Sequence, residues 1–263
     1  MSRTTTSSSR RPPLRRALLI GVAKYSNATI GDLPGADLNY TLLAPELARR
    51  GFTTTPLLNE AATRCAITAA IADLIKSAEP GDVCLIAYSG HGNSVADPDT
   101  DEPDGANEFI YPYDAGPFAA AIRDDELAAW LKEARPGVSI YCLFDACHSG
   151  TMPDGFLPFV RRWWWRTRRF FRRVPFWFRR RVAGGRAMVF SACRDNEEAD
   201  YSQLDRGRFT DVLVDALAHG ALASNQALGQ HLVQSFEARG YRDQHPEFRG
   251  SPQALSAGIF ERY

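Results

Sequence analysis

The chain has 263 residues and a formal net charge of zero, from 31 basic and 31 acidic side chains. With 44% hydrophobic and 24% charged residues, the composition is that of a globular protein, and it excludes a mostly disordered chain, a collagen-like chain and a multi-span membrane protein. Zero net charge argues at first against a nucleic-acid-binding protein.

The predicted elements alternate between short apolar strands and amphipathic helices, after a flexible basic arm over residues 1–13. Strands are predicted at 17–23, 52–58, 83–88, 109–113, 138–144, 187–192 and 254–260, and helices at 36–50, 63–78, 124–134, 209–219 and 227–239. We expect Pro45 to kink or shorten the first helix, and residues 90–105 to form a polar loop. Continuous apolar strands that alternate with helices predict an α/β fold whose mainly parallel sheet is covered by helices on both faces.

The cysteines and the N-terminal residues favour an ordinary reduced protein. The first 13 residues lack the apolar segment of a signal peptide, and no run of about 18 apolar residues predicts a spanning helix. The five cysteines form no CxxC pair, so a zinc ribbon is not expected. Cys84 and Cys142 lie inside apolar runs and are predicted to be buried core residues. We therefore expect a reduced, cytoplasmic protein.

Two loops deserve a chemical interpretation, because functional loops of such sheets lie at the carboxyl ends of the strands. In the first, SGHG at 89–92, His91 lies between two glycines; in the second, DACHSG at 145–150, Cys147 leaves a buried strand. A simpler interpretation exists for each, namely an exposed His in a tight turn and a buried structural thiol. If the two strands are adjacent, an imidazole and a thiol face each other, as thiol acyl transfer requires.

The division of labour in such a pair follows from the chemistry of the thiol. A free thiol has a pKa of about 8.5 and is mostly protonated at neutral pH, so it needs a base or a positive neighbour. His91 is the predicted base, and His148 is a rival that we place below it because adjacent side chains leaving a strand diverge. The backbone N–H groups of Gly92 and Cys147 are the predicted donors to the oxyanion.

With Cys147 lying 56 positions after His91, SGHG and DACHSG together resemble the caspase-like cysteine peptidases, specifically metacaspases and their bacterial relatives. The resemblance extends to LLIGVAKY, DEPDGANEFIYPYDA, RDDEL, VFSACRDNEEAD and GRFTDVLVDALAHG. It implies a caspase-like three-layer α/β/α sandwich with a mainly parallel central sheet. It also implies one catalytic domain made of a large segment (14–155), a linker (156–185) and a small segment (186–263), with catalytic roles for His91 and Cys147.

The resemblance further implies cleavage after Arg or Lys, in protein or peptide substrates, through an acidic pocket. Asp145 matches the pocket acid of the family and Ser89 matches a residue lining the same pocket, although Asp145 can also be a strand-end residue that bonds its own loop. The family commonly has a second acid on the first helix, and by spacing from Gly35 that position is Asn39 here. Either Asp37 substitutes for it or the pocket has one acid, which gives less compensation for a guanidinium.

Many metacaspases are activated by calcium, which takes about six to eight oxygen ligands. By resemblance, Asp124 and Asp125 match the paired ligands and Asp154 fits a third, with Asp104 or Glu108 as a fourth. The alternative is that the aspartates only cap a helix and that the loop is a solvated acidic surface. We keep Ca²⁺ as the one cofactor that the sequence suggests.

An arginine- and aromatic-rich segment over residues 156–182 lies at the family's linker position and changes the meaning of the net charge. Residues 82–126 hold eleven acids and one base, whereas residues 161–181 hold ten arginines and no acid, so the zero is a cancellation. Three interpretations stay open: a linker that the enzyme itself cuts, an element that binds an anionic membrane surface or another polyanion such as nucleic acid, and an aromatic loop packed on the domain.

The resulting functional prediction is a metacaspase-type cysteine endopeptidase, which we expect to be a monomer. The rival from another class is a non-catalytic caspase-like module that binds a membrane surface or nucleic acid through residues 156–182. The joint presence of His91, Cys147 and Asp145 argues against this rival, since a scaffold has no physical need for all three.

Overall fold

The computed structural model describes residues 11–96, 106–116, 121–146, 186–193, 199–200, 206–219 and 223–260. Cys147, His148, Asp154 and the whole arginine- and aromatic-rich segment lie outside the described residues, so the predictions made for them are not addressed by the geometry below. In the part of the chain that the structure does describe, every helix is too short or too polar to cross a membrane.

Nine strands are described, and six of them form the central sheet. They are β1 (Arg15–Gly21), β2 (Phe52–Leu58), β3 (Val83–Ser89), β4 (Gly92–Ala96), β5 (Ala106–Ile110), β6 (Ile122–Arg123), β7 (Ser139–Asp145), β8 (Arg186–Ser191) and β9 (Glu247–Gly250). The central sheet has the order β2-β1-β3-β7-β8-β9, and all neighbours are parallel except the β8–β9 pair. The mainly parallel sheet predicted from the sequence is therefore confirmed.

Helices cover both faces of this sheet. They are α1 (Asn39–Ala48), α2 (Arg64–Lys76), α3 (Asp124–Leu131), α4 (Arg208–His219), α5 (Asn225–Ala238) and α6 (Pro252–Ser256). One apolar core joins α2 and α3 to one face, and a second joins α1, α4, α5 and α6 to the other. Successive residues of each strand supply opposite cores because strand side chains alternate in direction, as Leu18 and Leu19 do in β1. The expected three-layer α/β/α sandwich is thus confirmed.

Two predicted elements were wrong, both where the sequence lacks a simple periodicity. Part of the expected polar loop at 90–105 is the strand β4, which pairs with β5 in a separate antiparallel sheet β4-β5-β6. The expected strand at 254–260 begins instead with the short helix α6, because Pro252 stands at its first position and the Ser251 hydroxyl accepts the Ala254 N–H. The last strand of the central sheet, antiparallel to β8, is instead the preceding segment β9.

The first helix is shorter than predicted at both ends. It runs over Asn39–Ala48 instead of 36–50, and Pro45 lies in its last turn, where the helix continues for three more residues. This later start matters for function, since Asn39 becomes the first residue of α1 and is held at the carboxyl ends of the strands.

Candidate active site

The register of β3 against β7 places the carboxyl ends of these two strands side by side. The strands are parallel neighbours with Ser89 opposite Asp145, and the Gly90 N–H donates to the Asp145 carbonyl at 3.3 Å. His91 follows the end of β3 by two residues, and Cys147 follows the end of β7 by two residues. Loops at the carboxyl ends of adjacent parallel strands open on the same edge of the sheet.

The His91 ring lies in a largely buried setting beside Tyr25, with 5.2 Å between ring centroids. Burial lowers the pKa of His91, while a hydrogen bond with the Gly31 backbone and the negative charge of Asp32 act in the opposite direction. The buried Nε2 atom has no hydrogen-bond partner among the described residues. A neutral imidazole with one nitrogen engaged and the other free is the form that accepts a proton.

Gly92, the predicted oxyanion donor, opens β4 opposite Ile110. The Tyr111 N–H donates to the His91 carbonyl at 3.1 Å. Hydrogen-bonded and non-hydrogen-bonded pairs alternate along an antiparallel ladder, so the next pair, Gly92 with Ile110, is not hydrogen-bonded. The Gly92 N–H therefore points away from β5 and is not used in pairing with that strand. The predicted role as a donor to the oxyanion needs such an N–H.

Asp145, the predicted pocket acid, ends β7 and is only 3% exposed. Its Oδ2 atom accepts hydrogen bonds from Asn39 Nδ2 at 3.1 Å, from the Thr210 N–H at 3.1 Å and from the Thr210 hydroxyl at 2.7 Å. Asn39 Nδ2 also lies 2.7 Å from Ser89 Oγ. Asp145, Ser89, Asn39 and Thr210 thus form one cluster, which we call the Asp145 cluster.

Gly207 allows this cluster to form. It precedes α4, and its N–H donates to Asn39 Oδ1 at 3.1 Å. A Cβ atom at this position would lie 2.0 Å from Asp145 Oδ2. Only glycine lets the carboxylate reach the N-terminus of α4, where Asp145 takes the acceptor role that an N-cap side chain has elsewhere. This contact joins the end of the large segment to the small segment.

Asp37 is not brought into the Asp145 cluster. Its Oδ2 accepts a hydrogen bond at 2.8 Å from Asn59 Nδ2, and Asn59 Oδ1 in turn accepts the N–H groups of Ala23 and Lys24. The position that faces Asp145 is Asn39. The sequence left open whether Asp37 supplies a second acid or whether the pocket has only one. In the described cluster, Asp145 is the one acid, and the amide of Asn39 faces it.

The predicted calcium ligands are only partly described. Asp124 is the first residue of α3, burial raises the pKa of its carboxyl to about 6, and its Oδ1 has no hydrogen-bond partner among the described residues. A buried carboxylate oxygen without a described hydrogen-bond donor is a suitable ligand for a cation such as Ca²⁺. Asp125 follows it, but nowhere in the described ranges do three His, Cys, Asp or Glu side chains converge as a metal site. The N-cap of α3 is Arg123, whose N–H is held by Glu126 at 3.1 Å, so neither aspartate is the cap.

Sequence reasoning missed several residues that hold the site together. Thr210 lies in the GRFTD motif, which carried the family resemblance without a role for any of its residues. Tyr25 and Tyr88 carried no signal beyond aromatic residues near strand ends. The two glycines that flank His91 were the one available signal for the tyrosine contacts, since glycine is required where another group approaches the backbone closely.

Comparison with known proteins agrees with this geometry. A family model described as "Metacaspase, peptidase C14 domain" matches residues 15–155, more than half of the chain. Metacaspase-1 of Kluyveromyces lactis is 34% identical over 158 residues, covering 56% of this chain and 35% of that protein. Metacaspase-2 of Arabidopsis thaliana is 34% identical over 159 residues, covering 57% of this chain and 36% of that protein. The chain thus spans about a third of the length of these relatives.

A solved structure shares the same fold. The crystal structure of a Geobacter sulfurreducens protein matches with a TM-score of 0.74 and 26% identity, covering 95% of this chain and all of that one. The family match and the curated relatives agree on one conclusion: the chain belongs to the metacaspase family, with a peptidase C14 domain.

Proposed function

We propose that this protein is a cysteine endopeptidase that uses Cys147 as nucleophile and His91 as base, and that it cleaves peptide bonds after Arg or Lys. One observation supports the proposal: Ser89 pairs with Asp145, so the strands that precede His91 and Cys147 by two residues end at the same edge of the sheet. Family membership supports the peptidase class.

The reaction follows from the groups present. His91 Nε2 takes the proton of the Cys147 thiol, and the thiolate attacks the carbonyl carbon of the scissile bond. The Gly92 and Cys147 N–H groups stabilise the oxyanion that forms. His91 returns the proton to the leaving amine, and a water molecule, deprotonated by His91, then hydrolyses the thioester and restores the thiol.

The Asp145 cluster supports the basic specificity. A buried carboxylate at the strand ends is a direct partner for a guanidinium or ammonium group. The cavity beside Asp145 and Asn39 has a volume of about 20 Å³, enough for about one water molecule. Arginine binding therefore requires this cavity to widen or the guanidinium to approach from the side of the strand-end loops.

The proposal is tested with matched fluorogenic peptides that end in Arg or in Asp. We expect turnover of the Arg peptide by the wild type, loss of turnover in Cys147→Ala, and full turnover in Cys65→Ala, which removes an exposed thiol on α2. Activity that survives in Cys147→Ala contradicts the nucleophile, and a preference for the Asp peptide contradicts the pocket. A Cys147→Ala variant that retains every measurable function of the protein favours the non-catalytic module.

Calcium activation and cleavage within the linker are further parts of the proposal. Bound calcium supplies charge neutralisation among acidic oxygens, and Asp124 with Asp125 would contribute to holding it. N-terminal sequencing of fragments formed with calcium or with chelator tests both parts together. Fragments that begin after arginines of residues 156–182, formed only with calcium, support them; identical patterns under both conditions contradict the calcium requirement.

A further inference from the structure

Two tyrosine hydroxyls contact the main chain of His91, one at its N–H and the other at its carbonyl. The Tyr25 hydroxyl accepts the His91 N–H at 2.7 Å, and the Tyr88 hydroxyl donates to the His91 carbonyl, also at 2.7 Å. Both tyrosines are buried. The peptide groups before and after His91 are therefore each fixed by a side chain from outside the 89–92 loop.

The Tyr88 hydroxyl is held in place by further contacts. It lies 2.9 Å from the Tyr111 carbonyl and accepts the Tyr111 N–H at 3.2 Å. Because Tyr111 follows β5, this hydroxyl joins the end of β3 to the antiparallel pair β4–β5, which Gly92 begins. A buried hydroxyl with several main-chain partners has little freedom to turn, so the His91 carbonyl that it contacts is held as well.

Planarity of the peptide bond extends this restraint to Gly92. The carbonyl of His91 and the N–H of Gly92 belong to one trans peptide group, so they point in opposite directions. Holding the carbonyl on the Tyr88 hydroxyl therefore aims the Gly92 N–H at the other side, where the oxyanion is stabilised in the proposed reaction. The same carbonyl restraint fixes the backbone from which the His91 imidazole projects.

Gly90 shows how tightly the two hydroxyls enclose this backbone. A Cβ atom on Gly90 would lie 2.6 Å from the Tyr88 hydroxyl and 3.0 Å from the Tyr25 hydroxyl. The two tyrosine hydroxyls therefore leave no room for a side chain at the position before His91, and only glycine fits there.

We propose that Tyr25 and Tyr88 are positioning residues for the catalytic step, and that they act by orienting the His91 imidazole and the Gly92 N–H together. This inference rests on the proposed function, in which His91 is the base and Gly92 an oxyanion donor. Neither hydroxyl acts on the substrate itself. Loss of either one lowers kcat and leaves KM nearly unchanged, because the Asp145 cluster that binds the substrate is held by other contacts.

The test uses Tyr25→Phe and Tyr88→Phe, which keep the buried rings and remove only the hydroxyls. The matched control is Tyr141→Phe, which removes a buried tyrosine hydroxyl on β7, four residues before Asp145. We expect kcat for an Arg peptide to fall about tenfold or more in each test variant, since small misplacements of catalytic groups are costly, with KM within about threefold. The control is expected to keep kcat within about twofold.

A kcat within twofold of the wild type in folded Tyr25→Phe or Tyr88→Phe overturns the inference, as does an equal loss in Tyr141→Phe. Should a variant fail to fold, hydrogen exchange at the His91 amide of the wild type decides: exchange as fast as that of an open loop overturns the Tyr25 contact. His91→Ala separates this inference from the proposed function. Full activity in His91→Ala refutes the proposed function, whereas inactive His91→Ala beside active tyrosine variants refutes only the inference.

Discussion

Replacing Asn39 by Asp tests the electrostatics of the Asp145 cluster directly. In the wild type, Asn39 Nδ2 donates to Asp145 Oδ2 at 3.1 Å and contacts Ser89 Oγ, and Asn39 is only 4% exposed. Asn39→Asp keeps the shape of the side chain and replaces this donor by a second carboxylate oxygen. The favourable contact becomes a contact between two acids inside the protein.

The magnitude follows from the distance. Two unit negative charges about 3 Å apart repel by about 5 kcal/mol at an effective dielectric constant of about 20. The pair avoids most of this repulsion by keeping one proton, which one carboxyl then donates to the other. The pKa of one carboxyl in the folded variant is therefore raised above the ordinary value of about 4 for aspartic acid in the unfolded chain.

The sign of the pH effect is then fixed. A folded state that binds a proton more tightly than the unfolded state loses stability as pH rises, at up to about 1.4 kcal/mol for each pH unit. This loss begins near pH 4 and ends at the raised pKa of the folded pair. We expect the melting temperature of Asn39→Asp to fall relative to the wild type as pH increases across this window, by about 2–4 °C for each kcal/mol.

The assay is thermal unfolding of wild type, Asn39→Asp and Asn39→Ala at several pH values from 4.5 to about 8. Asn39→Ala is the matched control, because it loses the same Nδ2 donor without adding a charge, and its difference from the wild type is expected to be nearly independent of pH. A difference between Asn39→Asp and the wild type that stays constant over this range refutes the placement of the two side chains. The KM for an Arg peptide, measured in parallel, is expected to fall in Asn39→Asp as pH rises and the second carboxyl ionises.

Three further expectations concern His91, Asp82 and Gly207. Because burial lowers the pKa of His91, we expect the acid limb of the kcat/KM profile to lie below pH 6.5, and a limb above that value contradicts a neutral buried base. Burial alone raises the pKa of Asp82, but hydrogen bonds from Arg11 and from the backbone lower it to about 2. We therefore expect Asp82→Asn to have a lower melting temperature than the wild type at pH 7. The difference in melting temperature is expected to shrink as pH falls from about 4 towards 2. Gly207→Ala is expected to destabilise the fold by about 1–3 kcal/mol in urea unfolding and to raise KM, since its Cβ would lie 2.0 Å from Asp145 Oδ2.

The strands were predictable because a buried parallel strand is a continuous apolar run. β2 matched its predicted range, and β3, β7 and β8 differ from theirs by one residue at one or both ends. The contact of Gly90, next to His91, with the end of β7 agrees with the expectation that these two strands are neighbours. That step needed only topology, because parallel strands in one sheet deliver their loops to the same edge.

The residues that hold the site were not predictable, because they depend on contacts between distant parts of the chain. Thr210 meets Asp145 across 65 residues, and the Tyr25 hydroxyl meets His91 across 66. Neither contact leaves a periodic pattern or a spacing signal. β4 was missed for a related reason, since its five residues GNSVA carry little apolar character and are paired only through β5.

The hydrogen-bond donors described for Asp145 are neutral, as are the hydroxyls that hold the main chain of His91, and this bears on the proposed specificity. Asp145 accepts from an amide, a backbone N–H and a hydroxyl, and the main chain of His91 is held by two hydroxyls. Neutral donors stabilise an ionised carboxylate without cancelling its charge. A structural cation in the place of Asn39 or Thr210 would compete with the guanidinium of the substrate for the same oxygen. The described donors thus satisfy this buried acid without adding a positive charge to it, which agrees with the arginine pocket that we propose and which the overall net charge of zero does not reveal.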